Sequence, residues 1–178
     1  DVGDFAKVLA RAEHSADLNG YAARKAQSQS KGKLRGQGLC YYIESILGDP
    51  SETTKVVFKE EGTVDIFVGT QSNGQGHETT FAQFLADQTG IPHDVITVIQ
   101  GDSDQIKTGG GTGGSRSATV QNNATLVTVG RMIEAFTEYL AYKFQVTDND
   151  IYFDDETFRI AGSNITPSML DCVVMARL

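Results

Sequence analysis

The chain has 178 residues, 39% of them hydrophobic and 21% charged, and a formal net charge of −8. That length makes one domain the default, and the composition is ordinary for a globular protein in water. The acidic balance, with no basic stripe to offset it, excludes a general nucleic-acid surface but not a single phosphorylated ligand, because backbone N–H groups bind anions without side-chain charge. No apolar run approaches the roughly 18 residues of a membrane span, and no signal peptide opens the chain. Beginning at Asp1 without Met and stopping at Leu178 inside a helix-like pattern, the sequence is expected to be a segment of a larger protein. Cys40 and Cys172 are far apart and in no CxxC pattern. They read as two free thiols in a reducing, cytoplasmic setting.

In chain order, Asp4 to Glu13 has Phe5, Val8 and Leu9 at helical spacing. Asn19 is a candidate N-cap for a second helix running to about Gln29, ended by Lys31-Gly32-Lys33. From Leu34 to Leu47 the composition turns β-type, and Gly48-Asp49-Pro50-Ser51 is a turn. Strands follow at Lys55 to Lys59 and Thr63 to Val68, joined by Glu60-Glu61-Gly62. A first glycine-rich turn covers Gly69 to Gly76 and opens a helix to about Thr89, with Phe81, Phe84, Leu85 and Gln88 on one stripe and Gly90 as its stop.

After Ile91-Pro92 comes a strand, Val95 to Ile99, then a second glycine-rich turn, Gly101 to Gly114. A long helix spans roughly Ser115 to Phe144. Val120, Ala124, Val127, Met132, Ile133, Phe136 and Leu140 make it apolar on more than one face, which predicts that it is largely buried. Ile151 to Phe153 and Phe158 to Ile160 form a hairpin around Asp154-Asp155-Glu156, and Thr166-Pro167 opens a terminal helix.

Each glycine-rich run lies between a strand and a helix, so two sets of free helix N–H groups could face one phosphorylated ligand. Gly74 and Gly76 flank Gln75 and let the backbone approach closely while the amide offers a donor and an acceptor. The plain alternative is a tight turn with Gln75 in solvent. In the second run, Gly109-Gly110-Gly111 and Gly113-Gly114 exceed what a connection needs, and such a loop is entropically costly to order. An ordering ligand is therefore expected, and Thr112, Ser115, Arg116 and Ser117 supply hydroxyls and a guanidinium suited to phosphate. The plain alternative here is a floppy surface loop.

Sharper motifs fail on spacing. There is no Gly-Lys-Ser/Thr, no third glycine of a dinucleotide fingerprint, and no second His after His77-Glu78. His14, His77 and His93 have no clustered carboxylate or thiol, so His77 is expected to stack or hydrogen-bond at the helix start. Asp102 and Asp104 read as turn caps rather than paired acids.

Four runs in this order carry a resemblance. They are Lys33-Leu34-Arg35-Gly36-x-Gly38; Gly69-Thr70-Gln71-Ser72-Asn73-Gly74-Gln75-Gly76-His77-Glu78-Thr79; Gly101-Asp102-Ser103-Asp104; and Gly111-Thr112-Gly113-Gly114-Ser115-Arg116-Ser117. Together the chain resembles the molybdenum-binding subunit of the xanthine dehydrogenase/aldehyde oxidase family, in the branch that includes the large subunit of carbon monoxide dehydrogenase. The resemblance implies an α+β fold, a mixed sheet with helices packed on one face, as in the molybdopterin-binding domain of the molybdenum hydroxylases. It implies one cofactor-binding domain over residues 1–178, with a helical lead-in at 1–32, a core at 33–144, and a hairpin and helix at 145–178.

It also implies a molybdenum–molybdopterin cofactor, in the cytosine dinucleotide form, and hydroxylation of a small-molecule substrate with oxygen from water. Iron–sulfur and FAD-binding subunits are the implied partners. Gly74, Gln75, Gly76 and His77 are the implied contacts to the pterin and its phosphate. Gly113, Gly114, Ser115, Arg116 and Ser117 are implied to hold the dinucleotide. The metal is implied to be held by the cofactor's own sulfurs, with no protein ligand. Family members carry a catalytic glutamate in a Gly-Glu pair, and this sequence has no such pair. The segment is therefore expected to hold part of the cofactor site without the base, and to be inactive alone. The competing expectations are a non-catalytic phosphate- or nucleotide-binding module and a degenerate paralogue without cofactor.

Overall fold

The structure, a computed structural model, describes residues 3–42 and 48–178. The chain divides into two compact units, Asp1–Glu44 and Ser45–Leu178.

The first unit holds α1 (Phe5–Ser15), a 3-10 turn at Leu18–Gly20, and α2 (Tyr21–Ser30). The Asp4 carboxylate caps α1 by accepting from the Lys7 N–H at 3.0 Å. Asn19 does not cap α2. It lies inside the 3-10 turn, whose N-cap is Asp17 in the left-handed region, bonded to the Gly20 N–H and paired with Arg24. The expected strand at Leu34–Leu47 is absent from 33–42, and 43–47 lie outside the described residues. A strand exists only where its N–H and C=O groups find a neighbour, and no ladder among the described residues includes 33–42.

In the second unit, β1 (Thr54–Phe58) and β2 (Val64–Val68) form an antiparallel hairpin with Val56 opposite Ile66. Gly62 closes the turn at φ +86°, where a β-carbon is disfavoured. The chain then crosses through α3 (His77–Thr89) to β3 (Ile96–Ile99), which pairs parallel to β2 with Ile66 opposite Val98. The sheet order is β1-β2-β3. Next come α4 (Ser117–Phe144), the separate hairpin β4 (Ile151–Asp154) and β5 (Thr157–Ile160), and α5 (Met169–Arg177).

One face of β2 (Val64, Ile66, Val68) is buried against Phe81 and Leu85 of α3 and Val129 of α4. Further along α4, Leu140 joins Phe158, Met169 and Cys172 in the same core. Truncating a fully buried Leu85 to Ala would cost about 2–5 kcal/mol. The α+β architecture thus follows the expectation.

Two details differ from it. The long helix is not buried on every side, since Leu126 and Val127 are exposed. Its first half instead buries a polar row, Ser117, Gln121 and Thr125, because it lies against loop backbone that needs hydrogen-bond partners. The terminal helix begins at Met169, not at Pro167, with Ser168 and Asp171 forming a capping box. Pro167 is held back beside β5, where its carbonyl accepts from the Phe158 N–H at 2.8 Å.

Candidate functional site

The two glycine-rich loops leave the C-terminal ends of the parallel neighbours β2 and β3, and each runs into a helix N-terminus. Parallel pairing therefore puts both loops at one end of the sheet, the place where open α/β sheets bind ligands. A cavity of about 260 Å³ opens there, with Gly69, Gln71, Asp102, Lys107 and Gly109 among its walls.

The loops are laced together. A β-carbon on Gly109 would lie 2.6 Å from the Gly69 Cα, so neither position has room for a side chain. The Gly111 N–H donates to the Gly69 carbonyl at 3.2 Å, and the Thr112 hydroxyl to the Gln71 carbonyl at 2.5 Å.

In the first loop, Gly76 takes φ +81° and becomes the N-cap of α3 with no side chain closing the helix end. Its carbonyl accepts the Thr79 and Thr80 N–H groups. The N–H groups of Gly76, His77 and Glu78 form no hydrogen bond among the described residues. Gln75 is exposed at the tip, its amide oxygen accepting from the Asn73 N–H at 2.6 Å. His77 is buried, with Nδ1 3.3 Å from the Thr70 carbonyl and its ring centroid 4.6 Å from that of Phe81. It stacks and hydrogen-bonds, as expected. Phe81 and Leu85 of the predicted stripe are core, while Phe84 is half-buried.

In the second loop, Gly113, Gly114 and Ser115 are exposed, and their N–H groups form no hydrogen bond among the described residues. Gly114 (φ +56°) and Ser115 (φ +53°) are both left-handed immediately before α4, whose N-terminus has no side-chain cap. Successive backbone N–H groups in such a turn make an anion-binding concavity. Ser117 is buried, its hydroxyl 3.2 Å from that of Thr112.

Arg116 is also buried, and its guanidinium faces inward. Nε donates to the Asp49 carbonyl at 2.9 Å, Nη2 to the Ser51 carbonyl at 2.6 Å, and Nη1 to the Gly111 carbonyl at 2.7 Å and Glu52 at 3.0 Å. The structure thus brings Gly113, Gly114 and Ser115 to the open end of the loop and takes the Arg116 charge into its base.

Two residues that the sequence reading passed over organise the site. Glu52 has a fully buried carboxylate that accepts from Arg116, from the Gly110 N–H at 3.0 Å and from the Thr53 N–H at 2.9 Å. Gln121, fully buried, accepts from the Gly69 N–H and the Thr70 hydroxyl, and donates to the Thr53 carbonyl and the Thr54 hydroxyl. A polar row at i, i+4, i+8 on an otherwise apolar helix was the available signal for Gln121. For Glu52, after an ordinary turn, there was none.

Other ionisable groups do structural work. Asp102 accepts from the Gln105 amide at 2.6 Å and the Asp104 N–H at 2.9 Å, and these bonds hold its carboxyl below the usual range, so it is a turn cap. Burial, with Asp171 adding to it, pushes the Cys172 thiol up to about 12, which removes it as a nucleophile. Among the described residues no group of three or more His, Cys, Asp or Glu side chains could hold a metal ion. The free donors are backbone N–H groups at two uncapped helix starts, with no carboxylate closing either. That donor set fits a phosphate-bearing group.

The family model for the molybdopterin cofactor-binding domain matches residues 11–177. The chain belongs to that family. This molybdopterin cofactor-binding domain is 31% identical over 91% of its length to the carbon monoxide dehydrogenase large chain of Afipia carboxidovorans. It is 28% identical over 98% of its length to the nicotine 6-hydroxylase large subunit of Paenarthrobacter nicotinovorans. Among solved structures, Cu,Mo-CO dehydrogenase superposes with a TM-score of 0.67 at 27% identity, over 96% of this chain and 24% of that one. Quinoline 2-oxidoreductase from Pseudomonas putida 86 shares the fold, with a TM-score of 0.57 over 99% of this chain. The chain spans 22% and 23% of the length of the two curated relatives. The resemblance to the molybdenum-binding subunit is thereby borne out. No helix among the described residues is long and apolar enough to cross a membrane.

Proposed function

We propose that this domain holds the phosphorylated part of a molybdopterin cofactor, in its cytosine dinucleotide form, within a molybdenum hydroxylase. The observation that carries this reading is the pairing of two uncapped helix N-termini at one end of parallel strands, each with free N–H groups. Gly74, Gln75, Gly76 and His77 form the pterin-side contact, with the Gln75 amide free to turn from Asn73 to the ligand. Gly113, Gly114, Ser115 and Ser117 form the dinucleotide-side contact, and Arg116 belongs to that set through its hold on the loop backbone. Both units act as one cofactor-binding domain, since the family match runs across both.

When bound, the cofactor supplies the metal centre at which a substrate carbon is oxidised. The residues of this chain bind its phosphates, fix its position and exclude water. The general base comes from elsewhere in the protein, because no Gly-Glu pair lies in this sequence. The substrate is a small molecule of the carbon monoxide, aldehyde or N-heterocycle class. Electrons leave to iron–sulfur and FAD-binding subunits, and the assembly is cytoplasmic.

The test is the full-length protein purified from cells supplied with molybdate, with molybdenum and acid-released CMP quantified in one sample. Near-equal amounts are expected. A well-folded protein with neither would return the loops to a phosphate-binding module of another kind.

A further inference from the structure

Arg116 is the cation next to the free N–H groups of Gly113–Ser115, and the simplest use for it would be to grip a phosphate. Its surroundings point elsewhere. A guanidinium has five N–H donors, and four hydrogen bonds are already made inside the fold, to Asp49, Ser51, Glu52 and Gly111. Its side chain is 5% exposed and that of its counter-ion Glu52 is 0% exposed.

The same Glu52 carboxylate binds the Gly110 N–H, and a β-carbon placed on Gly69 would overlap it. Glu52 therefore sits where both glycine loops cross. A β-carbon on Gly110 would lie 2.5 Å from the guanidinium, so the loop backbone is moulded on the ion pair itself. Gly110 and Gly111, whose polar groups the pair occupies, lie two to five residues before the open N–H groups of Gly113, Gly114 and Ser115.

We propose that Glu52 and Arg116 are positioning residues for the cofactor loop. Together they form a buried charge lock that sets the geometry of residues 110–115, and phosphate is bound by backbone N–H groups rather than by the Arg116 charge. This rests on the cofactor reading above. The neutralised pair leaves residues 109–117 without net side-chain charge, so affinity at Gly113–Ser115 depends on the aim of the N–H groups, which the lock controls.

The experiment compares the full-length wild type with Glu52→Gln, measuring molybdenum, CMP and melting temperature. The amide keeps the shape but removes the counter-charge of Arg116 and faces a donor to either the Thr53 N–H or the Gly110 N–H and Arg116, so cofactor content is expected to fall about tenfold or more, as for other supporting contacts around a bound centre. Phe158→Leu, a core change away from both loops, serves as a stability control and is expected to keep its cofactor. Unchanged or raised content in Glu52→Gln would mean that Arg116, once released, is the phosphate ligand, and would overturn the proposal. Equal loss in Phe158→Leu at a matched melting temperature would overturn it as well.

A wild type without molybdenum or CMP sinks the cofactor reading instead, so the two failures are distinguishable. Phenylglyoxal labelling of wild-type protein, mapped by mass spectrometry, needs no variant and decides the matter if Glu52→Gln does not fold. Arg116 unreactive with and without cofactor supports the lock; Arg116 reactive without cofactor and protected with it refutes it.

Discussion

The two glycine loops reach the same end of the sheet by different physical means. The first is short and enters its helix through left-handed glycines, with its tip residue Gln75 in solvent and its root held by the Gln121 amide on Gly69 and Thr70. The second is longer and richer in glycine, yet it is the more heavily anchored, through Glu52, Arg116, Thr112 and the Gly69–Gly109 contact. Its glycine content by itself points to an ordering ligand or, failing that, to a floppy surface loop. The structure gives another reason: at Gly69, Gly109 and Gly110 the glycines leave room for close approach of backbone and of a buried ion pair. Order at the root comes from the protein, while the exposed Gly113–Ser115 N–H groups at its open end form no hydrogen bond among the described residues.

The largest effect that would break this contrast is Arg116→Met, which leaves the buried Glu52 carboxylate unpaired. It is expected to destabilise the fold by about 3–5 kcal/mol in urea unfolding. A change near zero would show that the second loop is not anchored by charge. Next, Gln121→Leu orphans buried groups on the first loop and on the lead into β1, at an expected cost of about 1–3 kcal/mol. It should also expose the first loop to proteolysis before the second.

Gln75→Ala, at an exposed tip, is expected to shift stability by no more than about 0.5 kcal/mol while lowering the molybdenum content of the full-length protein. Smallest is the acid response of the second connection. Because hydrogen bonds from Gln105 and Asp104 lower the Asp102 pKa, its contribution is present above the ordinary carboxylate range and is lost as pH falls through the lowered value. In an acid titration Asp102→Asn should remove that part of the pH dependence. An unaltered titration would show the turn to be indifferent to its charge.

Elements governed by local pattern were legible in the sequence. Each strand from β1 to β5 lies within a residue or two of its expected place, and Gly90 stops α3 at φ +69° as anticipated. What escaped depends on partners remote in the chain. A β-type composition at 33–42 makes no strand without a neighbour to pair with. Pro167 is drawn to β5 and delays α5. The faces of α4 are decided by whether sheet or loop backbone lies opposite.

The site divides the same way. Its glycine loops were visible as local motifs, whereas Glu52 meets Arg116 across 64 residues and Gln121 meets Gly69 across 52. No periodicity in the sequence encodes those meetings.

Amide hydrogen exchange of the full-length protein, with and without its cofactor, tests the central claim most directly. The account predicts protection concentrated at Gly76–Glu78 and Gly113–Ser115, whose N–H groups are free, and little change at Gly110 and Gly111, whose N–H groups are already bonded. Loaded protein showing no added protection in either loop would contradict it.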